Sequence, residues 1–178
     1  MCWRNTDKKF GIVTKFLHWS LVLLFLGQFV WLYASDMYPN TAPEHLKYIL
    51  LHKSFGVLIL GVVLTMLLWR ILNTRPAWPS TMPMHEQVLA KLTHRLIYLV
   101  MILMPASGYL MSCYAGYGVK VFGAALPVLV GKDEALSEFF FDIHGRLAYL
   151  IVVLVSLHTI GALKHHFIDK NDILRRML

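Results

Sequence analysis

The sequence predicts an all-α protein, an integral membrane four-helix up-down bundle with both termini in the cytoplasm. Three observations predict it. Of the 178 residues 57% are hydrophobic, and the mean hydropathy of +0.58 is too high for an ordinary soluble domain. Four apolar runs each supply the roughly 20 helical residues that cross a hydrocarbon core. Lysine and arginine gather in alternate flanks of those runs, as topology in a membrane requires.

The length suits a single transmembrane domain over 1–178, with helices near 12–35, 47–72, 91–115 and 139–167. The first run, 16–35, carries no charge. The second, 48–69, holds only His52 and Lys53 near its start. The third lies within 96–119 and is uncharged, and the fourth, 139–163, carries Asp142, His144, Arg146 and His158. A chain this small has no soluble core in which to bury four such helices. No small-residue cleavage site closely follows the first run, so it reads as a retained span rather than a signal peptide. Residues 73–83 form a proline-broken loop. The 114–137 loop, with Gly116, Gly118, Gly123, Pro127 and Gly131, reads as irregular with one short helix lying on the surface. Trp31, Tyr33, Tyr38, Trp69, Trp78, Tyr114 and Tyr117 fall near the expected interfaces, as anchoring aromatics do.

Direction follows from the basic residues. Of 17 Lys and Arg, five (Lys47, Lys53, Lys120, Lys132 and Arg146) fall on one side and the rest on the side of the termini. The positive-inside rule puts the richer side in the cytoplasm. Six acidic residues (Asp36, Glu44, Asp133, Glu134, Glu138 and Asp142) fall on the outer side, leaving it slightly negative. The net charge of +7 punctuates apolar runs and forms no aromatic-interleaved basic patch, which excludes nucleic acid as a partner. Membrane lipid is the partner it implies. Cys2 and Cys113 fall on opposite sides and cannot pair. The absence of CxxCH argues against covalently attached haem.

Nine histidines are many for this length, and position sorts them. His45 and His85 read as loop residues. His94, His165 and His166 lie at inner helix ends, where an imidazole beside headgroups is unremarkable. His18, His52, His144 and His158 lie inside apolar helices, where an ionisable group is expensive and marks function by default. His18 and His158 lie level, about 9 Å from the inner boundary at 1.5 Å per residue. His52 and His144 lie level near the outer face. The 14 residues between His144 and His158 span about 21 Å and return both to one helix face. One helix therefore offers an imidazole at each depth, and His18 and His52 supply the partners for two bis-imidazole haem b sites. A lone membrane histidine is explained by a hydrogen bond to a neighbouring helix; four paired by depth are not. Two stacked pairs also lack the tetrahedral clustering of a zinc site.

Small residues near the ligands (Gly56, Gly145, Ala148, Gly161, Ala162), with Pro105, Ser107 and Gly108 kinking and thinning the third helix, leave room for a macrocycle. The same residues also serve ordinary helix packing. Propionates need cations: Arg70, His94 and Arg95 are available on the inner side, Lys53 and Arg146 on the outer. Snorkelling to lipid phosphate is the competing use of each.

The stretches Lys15-Phe16-Leu17-His18-Trp19, Leu51-His52-Lys53-Ser54-Phe55-Gly56 and Ile143-His144-Gly145-Arg146 through Tyr149, then Leu157-His158, resemble the bacterial cytochrome b561 family. So does the tail from Lys164-His165-His166-Phe167 through Asp169 to Arg176. The resemblance runs from about Lys9 to Arg176. It implies a four-helix bacterial inner-membrane bundle with two b haems, ligated by His18 with His158 and by His52 with His144, that exchanges electrons with a quinone such as ubiquinone. By its position, two turns beyond His158 toward the inner surface, His165 is the candidate quinone contact, with an interfacial contact to lipid as the competing use. One branch of the family oxidises superoxide at its outer face. The slightly negative outer segments here are unsuited to steering that anion. A cytochrome b subunit relaying electrons for a partner dehydrogenase or hydrogenase is the remaining alternative; electron donor and acceptor are not encoded in any motif.

Overall fold

The computed structural model describes residues 2–178. Four helices dominate: α1 Ile12–Asp36, α2 Pro43–Ile71, α3 Met84–Tyr114 and α4 Glu134–Phe167, with strands β1 Lys120–Val121 and β2 Ala124–Ala125 between the last two. Even the 25-residue α1 is about 37 Å long and exceeds a hydrocarbon core of about 30 Å. Leu23, Leu64, Val153, Ile160 and many other apolar side chains face outward; they form the surface that lipid covers.

Three helices begin earlier than the expected 47, 91 and 139, because helix continues into polar turns that a hydropathy window does not count. Pro43 opens α2, where its missing N–H costs nothing. Asp133 caps α4 by accepting from Leu136 N at 3.0 Å. Helix α3 starts at Met84, seven residues before the expected 91. Two expectations are corrected as a result. His45 and His85 lie in the first turns of α2 and α3, not in loops, and His45 Nδ1 bonds the Ser35 carbonyl at 3.0 Å. His94 is ten residues inside α3 rather than at its end.

The loop between α3 and α4 contains a β-hairpin where a surface helix is expected. Its two-residue turn, Phe122–Gly123, has φ of 47° and 95°, the positive pair of a type I′ turn. Ser54 of α2 holds it. Its Oγ accepts from Phe122 N at 3.0 Å, while its single hydrogen is shared between the Leu50 carbonyl at 2.8 Å and the Lys120 carbonyl at 3.3 Å.

Helix α1 packs on α2, α2 on α3, and α3 on α4; among the described residues the backbone of α4 touches neither α1 nor α2. Two apolar clusters fill the middle. Leu21, Ile59 and Val63 form one, and Val100, Ile151 and Leu154 the other. At the termini face, Asn5 Oδ1 accepts from Gly11 N at 2.9 Å and from Thr14 Oγ1 at 2.7 Å, and Trp69 Nε1 donates to Thr14 Oγ1 at 3.1 Å. A Cβ on Gly11 would fall 2.4 Å from the Trp3 carbonyl oxygen, so only glycine fits this crossing. Trp19 Nε1 donates to the Met177 carbonyl at 3.0 Å, which ties the C-terminal tail to the same face.

Candidate haem-binding site

Two histidine pairs lie across the gap between α4 and the α1–α2 pair. His18 on α1 and His158 on α4 have ring centres 6.2 Å apart. His52 on α2 and His144 on α4 are also 6.2 Å apart. Ile151 stands midway along α4 between its two histidines. Seven residues in either direction is about 20° short of two turns, so all three share a face. Ile151 is 1% exposed and seals the apolar layer that separates the two pairs.

Each ring is held differently. His144 Nδ1 donates to the Met104 carbonyl at 3.0 Å and lies 3.2 Å from Ser107 Oγ. Pro105 lies in the same turn of α3, where its missing N–H leaves the Met101 carbonyl without its ladder partner. Gly108 completes the contact: a Cβ there would fall 3.0 Å from Cε1 and 3.1 Å from Nδ1 of His144. At His52 the partner is the side-chain amide of Gln28 on α1, whose nearer terminal atom is 2.7 Å from Nδ1. His18 Nδ1 is buried without a partner. A third imidazole joins the His18–His158 pair, His94 of α3, with its ring centre 4.9 Å from that of His158 and its Nδ1 on the Ala90 carbonyl at 2.6 Å.

The spacing of the pairs suits one metal between each. Two metal–imidazole bonds of about 2.0–2.1 Å put the ligand nitrogens about 4 Å apart, and ring centres about 1 Å behind each nitrogen give about 6 Å in all. Directly hydrogen-bonded rings would sit closer, with nitrogens about 3 Å apart. The separation of α4 from α1 and α2 leaves the imidazoles to bridge the bundle. The residues therefore fit a haem iron at each level.

A family model described as prokaryotic cytochrome b561 matches residues 9–178. The chain belongs to the prokaryotic cytochrome b561 family. It is accordingly a bacterial multi-pass inner-membrane protein of a family that carries electrons in the membrane with haem b. It is 34% identical to "Cytochrome b561 homolog 2" of Escherichia coli K12 over 186 aligned residues, covering all of this chain and 95% of that one. It is 27% identical to "Probable superoxide oxidase CybB" of Yersinia pestis, with 96% of each chain covered. It is 21% identical to "Cytochrome b561 homolog 1" of Escherichia coli K12, over 96% of this chain and 97% of that one.

The other residues singled out in this cytochrome b561 sequence divide by exposure. Arg70 is half-buried with its guanidinium 5.2 Å from the Tyr98 ring centre, and Lys53 is half-buried. Arg95 is exposed. Arg146 points out of the bundle, 83% exposed, and pairs with Asp142 at 3.8 Å. His165 is buried, not lipid-facing, with Nδ1 2.7 Å from Asp169 Oδ2 and 3.8 Å from Glu86 Oε2. Glu86, His165 and Asp169 offer three ligand atoms within 4.8 Å of one another. Lys164, however, pairs with Glu86 and, at 3.0 Å, with Asp169, so the protein's own ammonium already occupies both carboxylates and the group is an ion-pair cluster, not a cation site. The hydrogen bond from Lys164, aided by His165, holds the Asp169 carboxyl below the usual carboxylate range.

Sequence reasoning does not reach Gln28, and it offers His94 only as a propionate contact, not as a third imidazole beside His158. Gln28 did carry a signal, as the one side-chain amide in an otherwise apolar span. The place of His94 beside His158 depends on where α3 starts, seven residues before the apolar pattern indicates.

Proposed function

We propose that this protein carries electrons across the inner membrane through two haem b groups and exchanges them with the quinone pool. His18 and His158 ligate the haem on the cytoplasmic side, where the termini lie, and His52 and His144 ligate the outer one. The observation that carries this reading is the pair of equal 6.2 Å ring separations at two levels of the bundle, sharing α4. Bound haem iron supplies one-electron oxidation and reduction.

The chain's own residues supply the rest. The imidazoles fix the ligand axis, and the Met104 carbonyl and the Gln28 amide fix the ring orientation of the outer pair. Ile151, Val63 and Leu21 exclude water between the levels. Arg70 and Lys53, half-buried, are the cations we assign to the propionates of the inner and outer groups, ahead of the exposed Arg95 and Arg146. Asp169 accepts from Nδ1–H of His165, which leaves Nε2 to accept from the hydroxyl of the reduced quinone, the quinol.

Oxidised and dithionite-reduced visible spectra of the purified protein, with a haem-to-protein ratio, test the assignment. Two low-spin b haems per chain are expected, with one lost in each of His18→Ala and His52→Ala. A single haem, or two that survive both substitutions, would sink it.

Superoxide oxidation is the second reading, favoured by full-length similarity to the Yersinia pestis protein of that printed name. The slightly negative outer surface opposes it, because an anionic substrate gains nothing from such a field. Quinone reduction driven by a superoxide-generating system, and abolished by superoxide dismutase, would establish it.

A further inference from the structure

Gln28 sits where an amide decides which nitrogen of His52 carries the hydrogen. One terminal atom of its side chain lies 2.7 Å from His52 Nδ1 and 3.2 Å from the His52 carbonyl oxygen; the other lies 2.8 Å from Gly56 N. Two orientations of the amide are available. With nitrogen toward His52, the amide donates to Nδ1 and the carbonyl while its oxygen accepts from Gly56 N–H. The ring hydrogen is then on Nε2, and that nitrogen has no lone pair for a metal. With oxygen toward His52, the amide accepts from Nδ1–H, and Nε2 keeps its lone pair. Ligation at Nε2 therefore selects the second orientation. In that orientation the amide oxygen faces the His52 carbonyl oxygen at 3.2 Å and the amide nitrogen faces Gly56 N at 2.8 Å, so the amide must rotate slightly off both as His52 takes up a metal; the Gly56 N–H keeps its ladder bond to the His52 carbonyl.

We propose that Gln28 is the positioning residue of the outer haem: by accepting a hydrogen bond from His52 Nδ1–H it fixes the ligating tautomer and holds that haem at a lower reduction potential than His52 alone would give. The proposal rests on His52 being a haem ligand. A hydrogen bond accepted from Nδ1–H makes the imidazole a stronger electron donor, which favours the ferric state. His144, the other residue that would hold that haem, donates to a backbone carbonyl that no side-chain substitution deletes. Gln28 is thus the adjustable half of the outer ligand set, in α1, although α1 contributes no ligand at that level.

The test is a spectroscopic redox titration of the full chain in detergent, comparing the native protein with Gln28→Leu, Gln28→Glu and His52→Ala. His52→Ala identifies the outer haem by the wave it removes. Gln28→Leu should retain two haems and raise that one potential by about 59 mV, a tenfold change in its reduced-to-oxidised ratio at fixed potential, with the other wave unmoved. Gln28→Glu, which offers a stronger acceptor, should move the same wave down. If Gln28→Leu does not hold both haems, Gln28→Glu decides alone, and a wave that stays in place or rises overturns the proposal. Two bound haems with both potentials unchanged in Gln28→Leu overturn it as well. Retention of both haems in His52→Ala is a separate result, which removes the ligand assignment on which the proposal stands.

Discussion

Gly108 of α3 lies against the face of His144 of α4, so close that a Cβ would fall 3.0 Å from the ring. That contact lets α3 and α4 approach while the imidazole keeps its hydrogen bond to the Met104 carbonyl. Replacing Gly108 with Val should force the ring aside at a cost of about 1–3 kcal/mol, more than the gain in helix propensity of under about 1 kcal/mol. A lower melting temperature in detergent and partial loss of one haem are the expected readings. Unchanged values of both would mean the ring is free to shift.

His94 stands 4.9 Å from His158, close enough to be mistaken for a ligand. Its Nδ1 is occupied by the Ala90 carbonyl, and His18 already faces His158. His94→Ala is expected to keep two haems per chain with a small change in the spectrum of one, whereas His158→Ala loses that haem. Equal haem loss in both variants would exchange the roles of His94 and His18.

The outer pair has Nδ1 partners on both rings, while His18 Nδ1 has none. Greater donor strength at the outer level should make it the lower-potential haem. In a redox titration the wave removed by His18→Ala is then the higher of the two, and electron flow from the outer face inward is downhill. A reversed order would mean that local charge outweighs the Nδ1 hydrogen bonds.

Asp169, in the tail beyond α4, has its carboxyl held below its ordinary range by Lys164 and then by His165. A depressed folded-state value adds stability that is complete above the ordinary aspartate pKa of about 3.9 and is lost as pH falls through the folded value. Asp169→Asn should therefore lower the melting temperature at neutral pH. The difference from the native protein should shrink below about pH 4. Parallel melting curves across that range would show that the Lys164 contact contributes nothing to folding.

The four spans were legible because a hydrocarbon core demands long uninterrupted apolar helix, and composition records that demand directly. The histidine levels were legible because a helix has a fixed rise: depth can be counted from either end. Helix starts were not, since Pro43, Met84 and Glu134 lie in polar turns beyond the hydropathy edge; the place of His94 beside His158 depends on one of those starts. The hairpin around Phe122–Gly123 was missed because two-residue strands have no period to read, and Ser54, which pins them, is remote in the chain.

Apolar runs and helical rise dictate the bundle, its apolar exterior and the two levels at which imidazoles occur. What stands behind each ring follows from how the helices pack. The Met104 carbonyl, the Gln28 amide and the close approach of Gly108 come from helices other than the one bearing the histidine they touch, and rotation and separation of packed helices are set by side-chain interdigitation, not by spacing along any single helix. Counting residues fixes how deep a ligand lies, while packing fixes which atom meets its other nitrogen.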